Sequence, residues 1–159
     1  MRGALASTLQ SIEIIVVNDG SDYPDYLRKE YLNDSRLRYI EIEHRGRAEA
    51  LNLALSRARG EFVAILDCDD TCRNDRFEKQ VYALRNNDAV LCYCNVRFVT
   101  RKNRHIQESN YGLKHEEIVE QLLELNPFPH SSVMFRKDAV IKIGGYRTNI
   151  EKSLDYNLY

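Results

Sequence analysis

Residues 62–70 read Phe62-Val63-Ala64-Ile65-Leu66-Asp67-Cys68-Asp69-Asp70, an apolar run that ends in three carboxylates within four positions. A continuous apolar run of this length is typical of a strand that is covered on both faces. Two like charges about 4 Å apart repel by roughly 1 kcal/mol in water and by about 4 kcal/mol at an effective dielectric of 20. The cluster therefore favours a bound cation. Oxygen ligands indicate a hard divalent ion, Mn or Mg, with the phosphates of a ligand completing its coordination.

Strand-like runs alternate with helical segments along the chain. The predicted strands are Glu13–Asn18, Leu37–Ile42, Phe62–Asp67, Ala89–Thr100 and Ser131–Arg136. The predicted helices are Ala4–Gln10, Pro24–Leu32, Arg47–Arg59, Asp75–Asn86, His115–Leu125 and Asp138–Ile143. This order is a βαβ series, so we expect an α/β fold with a mostly parallel sheet covered by helices.

Length and charge exclude several classes of protein. The 159 residues fit one domain, residues 1–159, with room for a single active cleft. Since 23 Lys and Arg nearly balance 24 Asp and Glu, there is no overall field for nucleic acid. Cys92 and Cys94 lie on one face of a predicted strand and are expected to be buried thiols, because zinc sites use wider spacings.

The two ends of the chain predict an incomplete domain. A short helix, Ala4–Gln10, leads directly into a strand that has the pattern of an internal one. The last residues, Leu154–Tyr159, have the pattern of a helix start. We therefore expect a domain that lacks its first strand and its C-terminal end, with an exposed sheet edge.

Polar residues follow two of the predicted strands at the point where each strand ends. Asn18–Asp22 and Asp67–Asp70 occupy these positions, and open α/β sheets bind ligands at this edge. Parallel neighbours are only about 4.8 Å apart, so the two turns can line one crevice. The alternatives are an Asx turn for the first and helix capping by Asp70 or Asp75 for the second. A cap needs one acid, whereas the second turn contains three.

Five segments carry a family pattern in order. They are Glu13-Ile14-Ile15-Val16-Val17-Asn18-Asp19-Gly20-Ser21; Gly46, Ala50 and Asn52; Ala58-Arg59-Gly60-Glu61-Phe62; Leu66-Asp67-Cys68-Asp69-Asp70; and Ser132-Val133-Met134-Phe135-Arg136 with Gly144-Gly145-Tyr146. Together they resemble the family-2 glycosyltransferases. The resemblance implies a nucleotide-diphospho-sugar transferase fold of the A type, with one Rossmann-like sheet that holds donor and metal.

The resemblance also implies roles on the donor side. Asp19 contacts the base or ribose of the nucleotide, and Asp67 lies near the ribose. Asp69, together with Asp70, holds the metal that bridges the diphosphate. Leu51 stands where the family often has an Arg, so either Arg47 or Arg45 covers the diphosphate or that contact is lost. The alternative for both arginines is that they are solvated residues at a helix start.

The acceptor side is implied by the last segment of the chain. Asp155 matches the family's catalytic base, which takes the proton from an acceptor hydroxyl in an inverting reaction. Leu154 and Asn157 replace the acids that usually flank it, and the alternative for Asp155 is a solvated acid at a helix start. The loop Asn126–Ser132, which contains His130, falls where the family builds its acceptor side, although a single His in a loop is more often structural or exposed.

The sequence therefore predicts a glycosyltransferase that moves a sugar from a nucleotide-diphospho-sugar donor to an acceptor hydroxyl. The alternative is a truncated or degenerate donor-binding module without turnover. A nucleotidyltransferase is disfavoured, because the chain has no Gly-rich basic phosphate loop near its start. The resemblance implies a glycan, lipid or protein acceptor, and a cytoplasmic domain working at the cytoplasmic face of a membrane by peripheral association.

Overall fold

The computed structural model describes residues 2–21, 31, 33–100, 104–109, 114–127, 129–150 and 152–159. The predicted helix Pro24–Leu32 lies outside these residues apart from Tyr31, and so does Asp22. Among the helices in the described ranges, none combines the length and the apolar character needed to cross a membrane.

Helices and strands follow one another as the sequence predicts. The helices are α1 (Arg2–Leu5), α2 (Arg47–Arg57), α3 (Arg76–Asn86), α4 (His115–Leu122) and α5 (Lys137–Lys142), with a 3-10 helix at His130–Ser132. The strands are β1 (Ile14–Asp19), β2 (Leu37–Ile42), β3 (Phe62–Ala64), β4 (Leu91–Cys92), β5 (Arg97–Val99), β6 (His105–Glu108) and β7 (Met134–Arg136). The α/β class is confirmed.

The strand pairing combines parallel and antiparallel neighbours. Strands β1 and β2 pair in parallel, with Ile14 opposite Leu37 and Asp19 opposite Ile42. Strand β7 lies between β3 and β4 and runs antiparallel to both, so these two strands run in the same direction. An antiparallel member within an α/β sheet is common. Strands β5 and β6 form a separate antiparallel pair.

Three predicted boundaries change for local reasons. The predicted strand Ala89–Thr100 is divided, because β4 pairs with β7 whereas β5 pairs with β6. The predicted strand Ser131–Arg136 begins with a 3-10 turn, because Ser132 donates both its N–H (2.9 Å) and its hydroxyl (2.7 Å) to the carbonyl of Pro129. Strand β3 is shorter than the predicted Phe62–Asp67 and ends at Ala64, although the N–H of Ile65 still donates to the carbonyl of Val133 at 3.0 Å.

Strand β7 and the preceding Val133 organise the core, because alternate residues here face two different layers. Val133 and Phe135, exposed by 0% and 1%, pack in a cluster with Leu55, Val140 and Tyr146. Met134 points the other way, into a cluster formed by Ala4, Phe77 and Leu84. Helices therefore cover both faces of this part of the sheet, as the continuous apolar run of residues 62–66 predicts.

A buried arginine fixes the chain just before the acidic turn, residues 67–70. Arg76 begins α3 and donates from Nη2 to the carbonyls of Ile65 (3.0 Å) and Val133 (3.2 Å). Its Nε donates to Gln80, whose amide in turn donates to the carbonyl of Ser132 (2.9 Å). Burial lowers the pKa of Arg76. These bonds tie the start of the acidic turn to the strand that follows the 3-10 helix.

Candidate active site

Asp19 closes the loop that leads into α2. Its Oδ1 accepts the N–H of Arg45 (2.8 Å), and its Oδ2 accepts the N–H of Gly46 (2.9 Å) and lies 3.0 Å from Nδ1 of His44. Gly20 has a φ of +70°, and a Cβ there would lie 2.7 Å from the backbone nitrogen of His44. Only glycine allows this approach. Asp19 thus sets where α2 begins, and its remaining lone pairs can still accept a donor from a ligand.

Arg47 connects the start of α2 to the acidic turn. Its Nη2 donates to Oδ1 of Asp67 at 2.8 Å, and both side chains are partly exposed. The N–H of Asp67 donates to the hydroxyl of Ser131 (3.0 Å), and the N–H of Asp70 donates to the Asp67 carbonyl (3.1 Å). The structure therefore brings the predicted residues Arg47 and Asp67 into direct contact, beside the 3-10 helix.

The charges of the acidic turn act on Asp67. Partial burial raises the pKa of the Asp67 carboxyl, the positive charge of Arg47 opposes this rise, and the carboxylates of Asp70 and Asp69 add to it. Asp69 and Asp70 are themselves exposed. The repulsion expected from the sequence is therefore present in the folded chain.

The donor set of the turn fits a hard divalent cation. Within the described residues, no group of three or more His, Cys, Asp or Glu side chains has a metal-binding arrangement. Mg²⁺ and similar ions keep several waters, and proteins often hold them by one or two carboxylates plus substrate phosphates. Asp69 and Asp70 supply that number of exposed carboxylates, so they suit an ion that arrives with a phosphorylated ligand.

His130 lies buried between two tyrosines. Its Nδ1 lies 2.5 Å from the hydroxyl of Tyr159, and its Nε2 lies 3.0 Å from the hydroxyl of Tyr146. Burial lowers the pKa of His130 to about 4 and raises the pKa values of both tyrosines. All three groups are therefore neutral near pH 7. Of the alternatives considered for this residue, the structure favours a structural histidine over an exposed one.

Asn52 clamps the backbone of the Gly-Gly-Tyr turn. Its Nδ2 donates to the Tyr146 carbonyl and its Oδ1 accepts the Tyr146 N–H, both at 2.8 Å. Gly145 has a φ of +73°, and a Cβ there would lie 2.6 Å from Oδ1 of Asn52. The clamp therefore requires glycine at position 145, and it fixes the backbone of Tyr146, whose hydroxyl contacts His130.

Asp155 belongs to the same C-terminal turn as Tyr159 of this buried group. It is half-buried, and its Oδ2 accepts a hydrogen bond from Nδ2 of Asn126 at 2.7 Å. Burial remains the main cause of the pKa shifts of His130, Tyr146 and Tyr159. The negative charge of Asp155 makes a smaller contribution that raises all three pKa values, and the positive charge of Arg47 makes one that lowers them. Asp155 and Arg47 thus both act on this buried group, with opposite signs.

Asn126 and Ser131 were not identified as site residues from the sequence. Asn126 contacts Asp155 across 29 positions of the chain, and Ser131 contacts Asp67 across 64. Neither residue belongs to a local motif that would reveal such a contact. The loop 126–132, which the resemblance placed on the acceptor side, was the only available signal.

The sequence profile of Glycosyl transferase family 2 matches residues 1–144. The chain belongs to this family. The match includes Asp19, Arg47 and the acidic turn, whereas Asp155 and Tyr159 lie beyond its end. The amylovoran biosynthesis glycosyltransferase AmsE of Erwinia amylovora is 32% identical over 96% of this family-2 chain, which spans 58% of the length of AmsE.

Solved structures share the fold. TarS of S. aureus, crystallised with UDP, superposes with a TM-score of 0.75 at 16% identity, covering 99% of this chain and 48% of TarS. The mannosyltransferase PcManGT of Pyrobaculum calidifontis, in complex with GDP-Man and Mn2+, gives a TM-score of 0.61 at 22% identity, covering 91% and 41%. The family-2 chain therefore has the A-type glycosyltransferase fold that the sequence predicts.

Proposed function

We propose that this family-2 chain is the donor-binding and catalytic part of a glycosyltransferase that moves a sugar from a nucleotide-diphospho-sugar to an acceptor hydroxyl. The observation that carries the proposal is that the fold connects the acidic turn, residues 67–70, to the carboxylate of Asp155. The acidic turn contacts Arg47 through Asp67, and the 3-10 helix His130–Ser132 joins that turn to the C-terminal turn that carries Asp155. TarS with UDP and PcManGT with GDP-Man support a nucleotide-containing ligand.

The donor would lie against the ends of β1 and β3. We assign Asp19 and Asp67 to the nucleotide, and Arg47, which already points at the acidic turn, to the diphosphate. Asp69 and Asp70 would hold Mn or Mg, and Mn2+ accompanies GDP-Man in PcManGT. When bound, such an ion neutralises the charge that develops on the leaving diphosphate.

Asp155 would act on the acceptor. Its Oδ2 is engaged by Asn126, so we assign Oδ1 to take the proton from the acceptor hydroxyl. The hydroxyl oxygen then bonds to the anomeric carbon while the bond from that carbon to the diphosphate breaks. A single displacement of this kind inverts the configuration of the sugar. The glycan, lipid or protein acceptor and the association with a membrane remain predictions from the resemblance.

The test compares wild type with Asp155→Asn in donor hydrolysis and transfer assays with Mn or Mg. We expect turnover to fall by about 10²-fold to 10⁴-fold, which is the usual contribution of a general base. Calorimetry with UDP and GDP should give unchanged affinity, because the substitution leaves the donor side intact. Asp88→Asn, at an exposed acid outside the site, is the matched control. Nucleotide binding without any turnover that depends on Asp155 would favour the alternative, a donor-binding module.

A further inference from the structure

The 3-10 helix His130–Ser132 contacts both sides of the candidate site. On the donor side, the hydroxyl of Ser131 accepts the N–H of Asp67 at 3.0 Å. On the opposite side, Nδ1 of His130 lies 2.5 Å from the hydroxyl of Tyr159. Adjacent residues of one short, buried segment therefore reach the acidic turn and the C-terminal turn.

Tyr159 and Asp155 belong to the same helical turn. The N–H groups of Leu158 and Tyr159 donate to the Asp155 carbonyl at 3.0 and 3.3 Å. Residues four apart in such a turn lie on one face, so holding the Tyr159 side chain restricts the orientation of the whole turn. Asn126 then holds the carboxylate itself at 2.7 Å.

The His130 ring is fixed from its other side as well. Its Nε2 contacts Tyr146, whose backbone Asn52 clamps with paired hydrogen bonds. Because burial holds the pKa of His130 near 4, the imidazole is neutral and carries one donor and one acceptor. One tyrosine hydroxyl must then donate to the ring while the other accepts from it. The ring thus links Tyr159 to a part of the fold that is fixed by α2.

We infer that His130 is a positioning residue which, through Tyr159, sets the place of the Asp155 carboxylate relative to Asp67. The inference rests on the proposed function, in which Asp155 takes the proton from the acceptor. His130 has no direct part in the chemistry in this scheme. Its contribution is to hold donor side and base at the separation that transfer requires, and a displacement of about 1 Å can cost about 10²-fold in rate.

The first test measures kcat and KM for His130→Phe, His130→Gln and Tyr159→Phe, with Tyr82→Phe as control. Tyr82 is 70% exposed, so the control loses a tyrosine hydroxyl outside the network. We expect kcat to fall by about 10-fold to 100-fold in His130→Phe and Tyr159→Phe, with the KM for donor unchanged. His130→Gln, whose amide can replace a ring nitrogen, should recover part of the loss. A rise in KM with kcat unchanged, or no change in either, would overturn the inference.

The second test needs no turnover. The side-chain amide signals of Asn126 in a 15N NMR spectrum, assigned by their loss in Asn126→Ala, report its hydrogen bond to Asp155. They should shift in His130→Phe and Tyr159→Phe but not in Tyr82→Phe. Unchanged signals in both network variants would overturn the inference, whatever the kinetics show. Failure of the proposed function gives a different result, since Asp155→Asn would then turn over like wild type while the NMR coupling persisted.

Discussion

The acidic turn, residues 67–70, and the buried network of His130, Tyr146 and Tyr159 are joined through the 3-10 helix His130–Ser132 but are built in opposite ways. In the turn, Asp69 and Asp70 are exposed, and the pKa of Asp67 is raised by partial burial and, in addition, by the carboxylates of Asp70 and Asp69. The network is buried and neutral, and each ring nitrogen of His130 has a hydroxyl partner. Within the described residues, no buried side-chain nitrogen or oxygen lacks a hydrogen-bond partner. This difference supports the proposals that a ligand completes the turn and that the network, which is complete within the protein, holds position.

The largest expected effect tests whether the network is neutral. The pKa of His130 is about 4 in the folded chain against 6.5 ordinarily, so between these values the unfolded chain binds more protons. Stability should therefore fall as the pH drops from 6.5 to 4, by about 3 kcal/mol for this group. The measurement is the free energy of unfolding by urea at several pH values, for wild type and His130→Phe.

His130→Phe cannot titrate at this position, so the difference between the two proteins isolates the histidine from the acids that also titrate below pH 5. The difference in the free energy of unfolding between wild type and His130→Phe should become smaller as the pH falls. If the difference stayed constant from pH 7 to pH 4, the pKa of His130 would be the same in the folded and the unfolded chain, and the contrast with the acidic turn would fail.

The next largest effect tests the acidic turn. Asp69→Asn removes one carboxylate of the turn, and we expect the Mn-dependent affinity for a nucleoside diphosphate to fall by at least about 100-fold, equivalent to about 2.7 kcal/mol. Calorimetry with and without Mn measures it, with Asp88→Asn as the matched control. Unchanged metal-dependent binding in Asp69→Asn would contradict the assignment of Asp69 to the metal.

The two regions also differ in how far the sequence reveals them. The three carboxylates of the acidic turn lie within four positions, follow an apolar run and repel one another. The sequence therefore predicts both the position of the turn and its chemistry. The α/β class follows in the same way from alternating segments, and strand Leu37–Ile42 was predicted with the bounds that the structure gives.

The network could not be predicted, because its contacts join residues far apart in sequence. His130 meets Tyr159 across 29 positions and Tyr146 across 16, and both partners are ordinary tyrosines in a chain that contains ten. Burial, which lowers the pKa of His130, depends on packing that no local pattern encodes. The antiparallel placement of β7 was missed for the same reason, since pairing is set by the whole sheet.

A smaller effect tests the anchor of the network. Gly145→Ala would place a Cβ 2.6 Å from Oδ1 of Asn52 and force a residue with a side chain to adopt a φ of +73°. We expect a loss of stability of about 2 kcal/mol, combining backbone strain with the damaged clamp. Thermal or urea unfolding measures it.

Gly144→Ala is the control for this loss. Gly144 has a φ of +93°, but a Cβ there would meet nothing within 4 Å. Gly144→Ala therefore introduces the backbone strain without the steric clash, and we expect it to lower the free energy of unfolding by about 1 kcal/mol. Equal losses in the two variants would show that the contact between Gly145 and Asn52 contributes nothing.

The smallest expected effect on stability concerns the ion pair between Arg47 and Asp67, both of which lie on the donor side. Arg47 and Asp67 have side chains exposed by 55% and 40%, so Arg47→Gln should change the free energy of unfolding by less than about 1 kcal/mol. The pKa of Asp67 should rise further, because Arg47 is the charge that opposes its rise. Arg57→Gln, at the exposed end of the same helix, controls for loss of a cation. If Arg47→Gln weakens nucleoside diphosphate binding while stability is unchanged, Arg47 serves the ligand. A large loss of stability with unchanged binding would instead make it part of the scaffold.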